Sequence, residues 1–343
     1  MSVLRCAIGL LVTPAFLCLT VVALCSALVP FLKQLALHGK TRSQTSKNGV
    51  KQTKPFPSST AESWLSKYWQ FFLHDDALLI NKRYFLHFYV AGLASLAFFL
   101  PYSPNDCIRW DLVFLLSIHL LRRCYECVMI HKYSKTSQMH LAGYVCGLVH
   151  YLFLPYLLLD ITCPQTGTTT MEANFENTAI SKSTNLPLWG GTILCLWAQY
   201  EQYYHHCLLA SLRSPTTSNE RDNTIRKRHQ IPMGRWFHLV SCPHYLAEIF
   251  IYVAFAWMLQ SGKGPMENDA ELSSCISTGM DVPSHFNEFL NSLVILRTFR
   301  HYVLLVWVAS NLTVTALRSH QWYMQMFPIY RTLGRKAIFP GIL

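Results

Sequence analysis

Three residues able to do chemistry stand four apart in the stretch LVSCPHYLAEIFIYVAFA (239–256): His244, Glu248 and Tyr252. On a helix this spacing puts them on one face, with Tyr245 beside them. Around and beyond them, Ile249, Phe250, Ile251, Val253, Ala254, Phe255 and Ala256 are apolar enough for a membrane interior. A carboxyl group in such a setting is costly, and its ordinary reading is a functional site facing a protected cavity. The plainer reading is a glutamate held by a neighbouring histidine or tyrosine for packing alone. Ser241 is a candidate helix cap, and Pro243 suits a first turn, where its missing N–H costs little.

Three further polar groups are set against apolar runs. In His119-Leu-Leu-Arg122-Arg123-Cys-Tyr125-Glu126, the glutamate lies three and four residues from the two arginines, which permits a local ion pair. Anchoring of a helix end by the arginines is the alternative. A second group, Gln199, Glu201, Gln202, Tyr203, Tyr204, His205 and His206, is followed by Arg213. Adjacent histidines suggest a metal, but none of the 15 histidines has another three or four residues away, as a membrane di-iron centre requires; no metal is expected. The third is the tail, with His320, Trp322, Tyr323, Tyr330, Arg335 and Lys336, whose aromatics would also suit an interfacial belt. Between these groups lies a basic loop, Arg226-Lys227-Arg228-His229, which can set topology, bind a phosphate, or do both. Four clusters in segments remote in sequence fit one site better than four accidents. The lone Cys124/Cys127 pair has no second pair to complete a zinc site.

The elements that must position these residues are membrane helices. The chain is 51% hydrophobic and only 14% charged, against about 25% charged in a soluble domain. An uninterrupted apolar run at 6–32 is too long for a signal-peptide core and is expected to be a retained first span. Residues 40–60 read as a polar linker, and Trp64 to Leu79 as an amphipathic helix on the membrane surface. Further apolar stretches fall at about 84–101, 110–130, 140–161, 187–210, 243–260 and 301–317. The expected fold is therefore an all-α integral membrane protein of about seven transmembrane helices, a single membrane domain over 1–343. Segments 33–83, 122–140, 211–242 and 318–343 hold 23 of the 29 Lys and Arg residues, whereas loops 162–186 and 261–300 are acidic. This alternation predicts a lumenal N-terminus, lumenal loops at 162–186 and 261–300, and a cytoplasmic C-terminus. It also accounts for most of the +11 net charge, so a nucleic-acid partner drops out. The sequon at Asn311 lies inside the seventh span and is discounted.

Five stretches resemble the steroid 5α-reductase family, and within it the polyprenol-reducing, dolichol-forming branch: RYFLHFY (83–89), HLLRRCYEC (119–127), MHLAGYVCGLVHY (139–151), HQIPMGRWFHLVSCPHYLAE (229–248), and SHQWY (319–323) with RKAIFP (335–340). The likeness runs from about 83 to the end, with a catalytic part at about 140–343. It implies NADPH-dependent reduction of a carbon–carbon double bond next to an oxygen function, in the endoplasmic reticulum membrane, on a long isoprenoid lipid. Cofactor contacts are then expected from Arg123, Arg213, Arg228, His229, Trp236, His244, Tyr245, Glu248, Tyr323, Arg335 and Lys336. His320 is the candidate donor to the substrate oxygen, with Glu126 and Tyr125 as alternates.

The sequence departs from the family pattern at several points. His244 replaces an Asn. Gln230 replaces an Arg, so Arg228 or Arg235 would have to supply that charge. The tail at Tyr330 is one residue longer and lacks a Pro, and the 261–300 loop is longer than usual. Leu120 stands where steroid-reducing members place a Tyr for the steroid ketone, which favours the polyprenol branch over a 3-oxo-steroid substrate. An isoprenylcysteine-type methyltransferase, which has a similar P-x-Y motif, is the rival enzyme reading, and a seven-span receptor the non-enzyme one.

Overall fold

The computed structural model describes residues 11–22, 78–102, 108–133, 137–158, 186–213, 230–260, 292 and 299–343. The 40–60 linker, nearly all of the expected surface helix at 64–79, the bodies of the 162–186 and 261–300 loops, and Arg228 and His229 lie outside the described residues.

Each apolar stretch contains a helix. They are α1 (Leu11–Val22), α2 (Phe85–Phe99), α3 (Trp110–Tyr125), α4 (Leu141–Leu158), α5 (Leu186–Ser211), α6 (Pro243–Leu259) and α7 (Arg300–Met326). Two of them, α4 and α7, are long and apolar enough to cross a membrane, and α1 and α6 are shorter apolar helices. The last helix outruns its expected end at 317 because no Gly or Pro follows until Pro328, so Arg318 to Tyr323 continue the same turns. The outward faces are apolar: Phe98, Phe114, Trp189 and Ile193 are each more than half exposed, while Glu126, His119, His205 and Gln202 are buried. That distribution suits a chain whose surroundings are lipid.

Helix α5 lies along α6, α2 against α3 and α4, and α7 against α6. The α5–α6 contact is close because of glycine. A Cβ at Gly191 would stand 2.3 Å from Met258 Cγ and 3.1 Å from the Ala254 carbonyl oxygen. The all-α expectation needs one amendment, a two-stranded antiparallel pair of β1 (Leu79–Asn81) and β2 (Gln138–His140). These strands lead into α2 and α4, and pairing satisfies backbone groups that no helix reaches.

The cap expected at Ser241 is also corrected. Cys242 occupies the N-cap without a side-chain capping bond, and Pro243 opens the helix. The backbone before the cap pairs instead with the tail: Ser241 N donates to Lys336 O at 2.8 Å and Lys336 N to Leu239 O at 3.0 Å. Its hydroxyl is thereby turned toward the tail.

Candidate active site

The third helix ends in a widened π turn over Glu126–Ile130, a feature common at functional sites. Glu126 faces inward and is fully buried, whereas Tyr125 faces outward with 51% of its surface exposed. Arg122 Nη1 and Arg123 Nη1 each donate to the Glu126 carboxylate. Arg123 also donates from Nε and Nη2 to Tyr89 Oη, at 3.0 and 2.5 Å, with its Cζ 4.8 Å from that ring. From α5, His206 brings Nδ1 to 2.7 Å from Glu126 Oε2 and 2.8 Å from Arg123 Nη1.

One α5 residue carries this group across to α6. Gln202 Oε1 accepts from Arg122 Nη2 at 2.5 Å, and its Nε2 donates to Glu248 Oε2. The second Glu248 oxygen is 3.5 Å from His119 Nε2. The His244 ring lies 4.2 Å from that of Tyr245 and 5.6 Å from that of His206, centre to centre. Two guanidinium groups thus face two carboxylates in a largely dry interior, an arrangement that is costly to bury and is held by its mutual hydrogen bonds. Unused donor and acceptor capacity remains: His119 Nε2, Arg122 Nε and His244 Nδ1 are buried with no hydrogen-bond partner. Such atoms fit a polar ligand entering the cluster.

Glu126, His131 and His206 have ligand atoms within 4.8 Å of one another. The cation already neutralising Glu126 is the Arg123 guanidinium, whose Nη1 contacts both Glu126 and His206. Beyond the π turn, His131 Nδ1 meets Tyr133 Oη at 3.0 Å. Burial, with His206 and Arg123 adding to it, holds the His131 imidazole down at about 3.

His320 belongs to a different cluster. Its Nδ1 is 2.6 Å from Ser241 Oγ, to which Tyr330 O–H donates at 2.6 Å, and Ser241 Oγ lies 3.1 Å from Lys336 O. Tyr330 stacks on Tyr323 at 5.0 Å and 14°, and burial raises its phenol above the usual range.

A family model described as 3-oxo-5-alpha-steroid 4-dehydrogenase matches residues 182–266 and 281–343, which carry α5, α6, α7 and the tail. Among curated relatives, polyprenal reductase 1 of Oryza sativa subsp. indica is 27% identical over 354 residues, covering 85% of this chain and 85% of that protein. Polyprenal reductase 2 of Arabidopsis thaliana is 31% identical over 254 residues, 68% of this chain and 62% of the relative. The polyprenal reductase of Caenorhabditis elegans is 26% identical over 303 residues, 78% of this chain and 81% of the relative. The chain belongs to the steroid 5α-reductase family.

In this family member the structure brings together Glu126, Arg123, His244, Tyr245 and Glu248 around Gln202 and His206. It does not bring in Tyr125, which faces outward. Trp236 is also apart: its ring packs on Trp197 at 5.2 Å and on Phe250 at 6.2 Å, beside an apolar hollow of about 320 Å³. Leu246 and Phe250, which line that hollow, stand two residues either side of Glu248 and so on the opposite face of α6. Arg335 is buried, donating to Pro232 O at 2.8 Å and contacting Met233 Sδ, so its charge ties the 230–235 segment to the tail. Arg213 and Lys336 are exposed, with Arg213 Nη1 bonded to Lys132 O. Arg235, at a φ of 44°, reaches Glu201 Oε1 at 2.5 Å and the Tyr204 ring at 4.2 Å. It is thereby held on the other polar face of α5.

Proposed function

We propose that this 5α-reductase family member is a polyprenal reductase, saturating the α-isoprene double bond of polyprenal to give dolichal, the precursor of the dolichol carrier for protein N-glycosylation. The observation carrying this reading is the likeness over 85% of both chains to a protein named polyprenal reductase. Fully buried Leu120 agrees with it, since it offers no polar atom to a steroid ketone.

NADPH is the reductant in this reading, and when bound it supplies the hydride that adds to the β-carbon. The residues fit it: Glu248, with His119 Nε2 at 3.5 Å and the Arg122 and His244 nitrogens that lack a hydrogen-bond partner, matches a carboxamide's mixed donors and acceptors. Tyr245 and Arg123 belong to the same polar cluster. Exposed Arg213 and Lys336, with Arg228 and His229, are the cationic set for its phosphates. Tyr323 and His320, packed around Ser241 and Tyr330, order that end of the site. An alkene accepts hydride only when an adjoining carbonyl takes up the charge, so the aldehyde is the substrate and the allylic alcohol is not. The seven helices span the endoplasmic reticulum membrane with the N-terminus lumenal and the C-terminus cytoplasmic. The isoprenoid then arrives from the bilayer, and the cofactor from water at the basic end.

The test is purified protein with NADPH and either polyprenal or polyprenol. Turnover of polyprenal alone is expected; a protein inert toward polyprenal refutes the reading, and reduction of polyprenol without prior oxidation refutes the aldehyde.

A further inference from the structure

Tyr252, His150 and Trp307 form a hydrogen-bonded chain tying α6, α4 and α7 together. Trp307 Nε1 donates to His150 Nδ1 at 3.2 Å. An indole nitrogen is a donor only, so Nδ1 carries no proton and the imidazole is the neutral Nε2–H form. His150 Nε2 lies 2.9 Å from Tyr252 Oη, and in that tautomer the imidazole is the donor. The tyrosine oxygen accepts, and its own proton is left without an acceptor among the described residues. Tyr252 is 3% exposed, so its hydroxyl is shut off from bulk solvent. An unused donor in a dry interior is costly and points to a ligand.

The position of the hydroxyl says which ligand atom. Tyr252 follows Glu248 by four residues on the same face of α6, about 6 Å further from the helix start. His244 and Glu248 are the residues that would hold the nicotinamide, and Tyr252 lies one turn deeper on the same face, within reach of the carbonyl group of an enal reduced beside them.

We infer that Tyr252 O–H is the hydrogen-bond donor to the carbonyl oxygen of the enal, and that His150 and Trp307 are positioning residues that keep it a donor. This rests on the polyprenal reductase reading. Having received hydride at its β-carbon, the enal loses its carbon–carbon π bond and its carbonyl pair moves onto oxygen as an enolate. Tyr252 stabilises that charge as it develops. One proton taken up from solvent then adds to the α-carbon and the carbonyl re-forms, so that one hydride and one proton are consumed and the products are the saturated aldehyde and NADP⁺.

Tyr252→Phe decides the matter, measured with polyprenal and with 4-deuterated NADPH. The expected result is a fall in kcat of about 100-fold, an NADPH Kd within about twofold of wild type, and a larger deuterium isotope effect. A kcat within about threefold of wild type overturns the inference. Should Tyr252→Phe fail to fold or to bind NADPH, Trp307→Phe decides instead. There Nδ1 is free to carry the proton and the Tyr252 O–H can turn to Nε2, lowering kcat about tenfold with NADPH binding intact. Unchanged kcat in Trp307→Phe overturns the inference. Wild-type protein that does not reduce polyprenal refutes the parent reading, whatever the variants do.

Discussion

Gln202 donates its side-chain N–H to the Glu248 carboxylate across the α5–α6 contact, while its carbonyl oxygen accepts from Arg122. The amide thus joins the Arg–Glu126 group of α3 to the carboxylate of α6 and is hydrogen-bonded at both ends. If Glu248 holds the cofactor, Gln202 fixes its orientation. Glu248→Gln is expected to raise the KM for NADPH at least about tenfold, and Gln202→Leu about fivefold, corresponding to about 1 kcal/mol or more of lost hydrogen bonding. Both variants should retain wild-type helicity by circular dichroism. An unchanged NADPH KM in Glu248→Gln removes the residue from the cofactor site.

Arg123 and Glu126 should be strongly coupled in stability. Removing either leaves a charge buried in a dry setting, a loss of about 3–5 kcal/mol. Arg123→Met and Glu126→Leu singly are therefore expected to lower the Tm in detergent sharply, and the double variant to lie well above their additive sum. Additive Tm changes in the cycle would show that the two side chains do not act as a pair.

The sequence made the helix ranges and the polar face of α6 legible, because apolar run length and four-residue spacing are local signals. It also carried the Arg122, Arg123 and Glu126 pairing, which needs only one helix turn. Gln202 and His206 stood inside a noted polar group, but which of its seven residues face α3 and α6 depends on the rotation of α5. That rotation is set by Gly190 and Gly191 meeting Trp257 and Met258. The packing of Trp236 on Trp197 and Phe250 has no signal in the motif, because a residue between two motif positions shares their sequence neighbourhood but not their face. Ser241 has the residue type of a cap, whereas the tail's return to Lys336, a contact across 95 residues, takes its hydroxyl. The His150 tautomer had no sequence signal, since it depends on a tryptophan 157 residues away.

Ser241 should matter more to the tail than to its own helix. Its oxygen accepts from buried Tyr330, so Ser241→Ala leaves that hydroxyl unpaired, costing about 1–3 kcal/mol. Limited proteolysis should then cut the tail faster than in wild type. The double variant Ser241→Ala with Tyr330→Phe is expected to recover much of the loss, because no orphaned donor remains. Equal protease sensitivity of wild type and Ser241→Ala would assign the serine no part in holding the tail.

His131 gives the protein an acid-side weakness whose sign can be worked out. Its folded value is about 3, below the ordinary value of about 6.5 that it takes in the unfolded chain. Between those limits the unfolded state binds the extra proton, so unfolding free energy rises with pH there. The contribution is fully present above about 6.5 and is lost as pH falls toward 3, with a limiting slope of about 1.4 kcal/mol per pH unit for one proton. The readout is the difference between wild type and His131→Asn, which isolates this one imidazole. Thermal unfolding in detergent at a series of pH values from 7 down to 5 should show wild type losing stability faster than the variant, the gap closing as pH drops. Parallel curves over that range would mean that His131 is protonated alike in both states, and that the burial beside His206 and Arg123 does not exclude its charge.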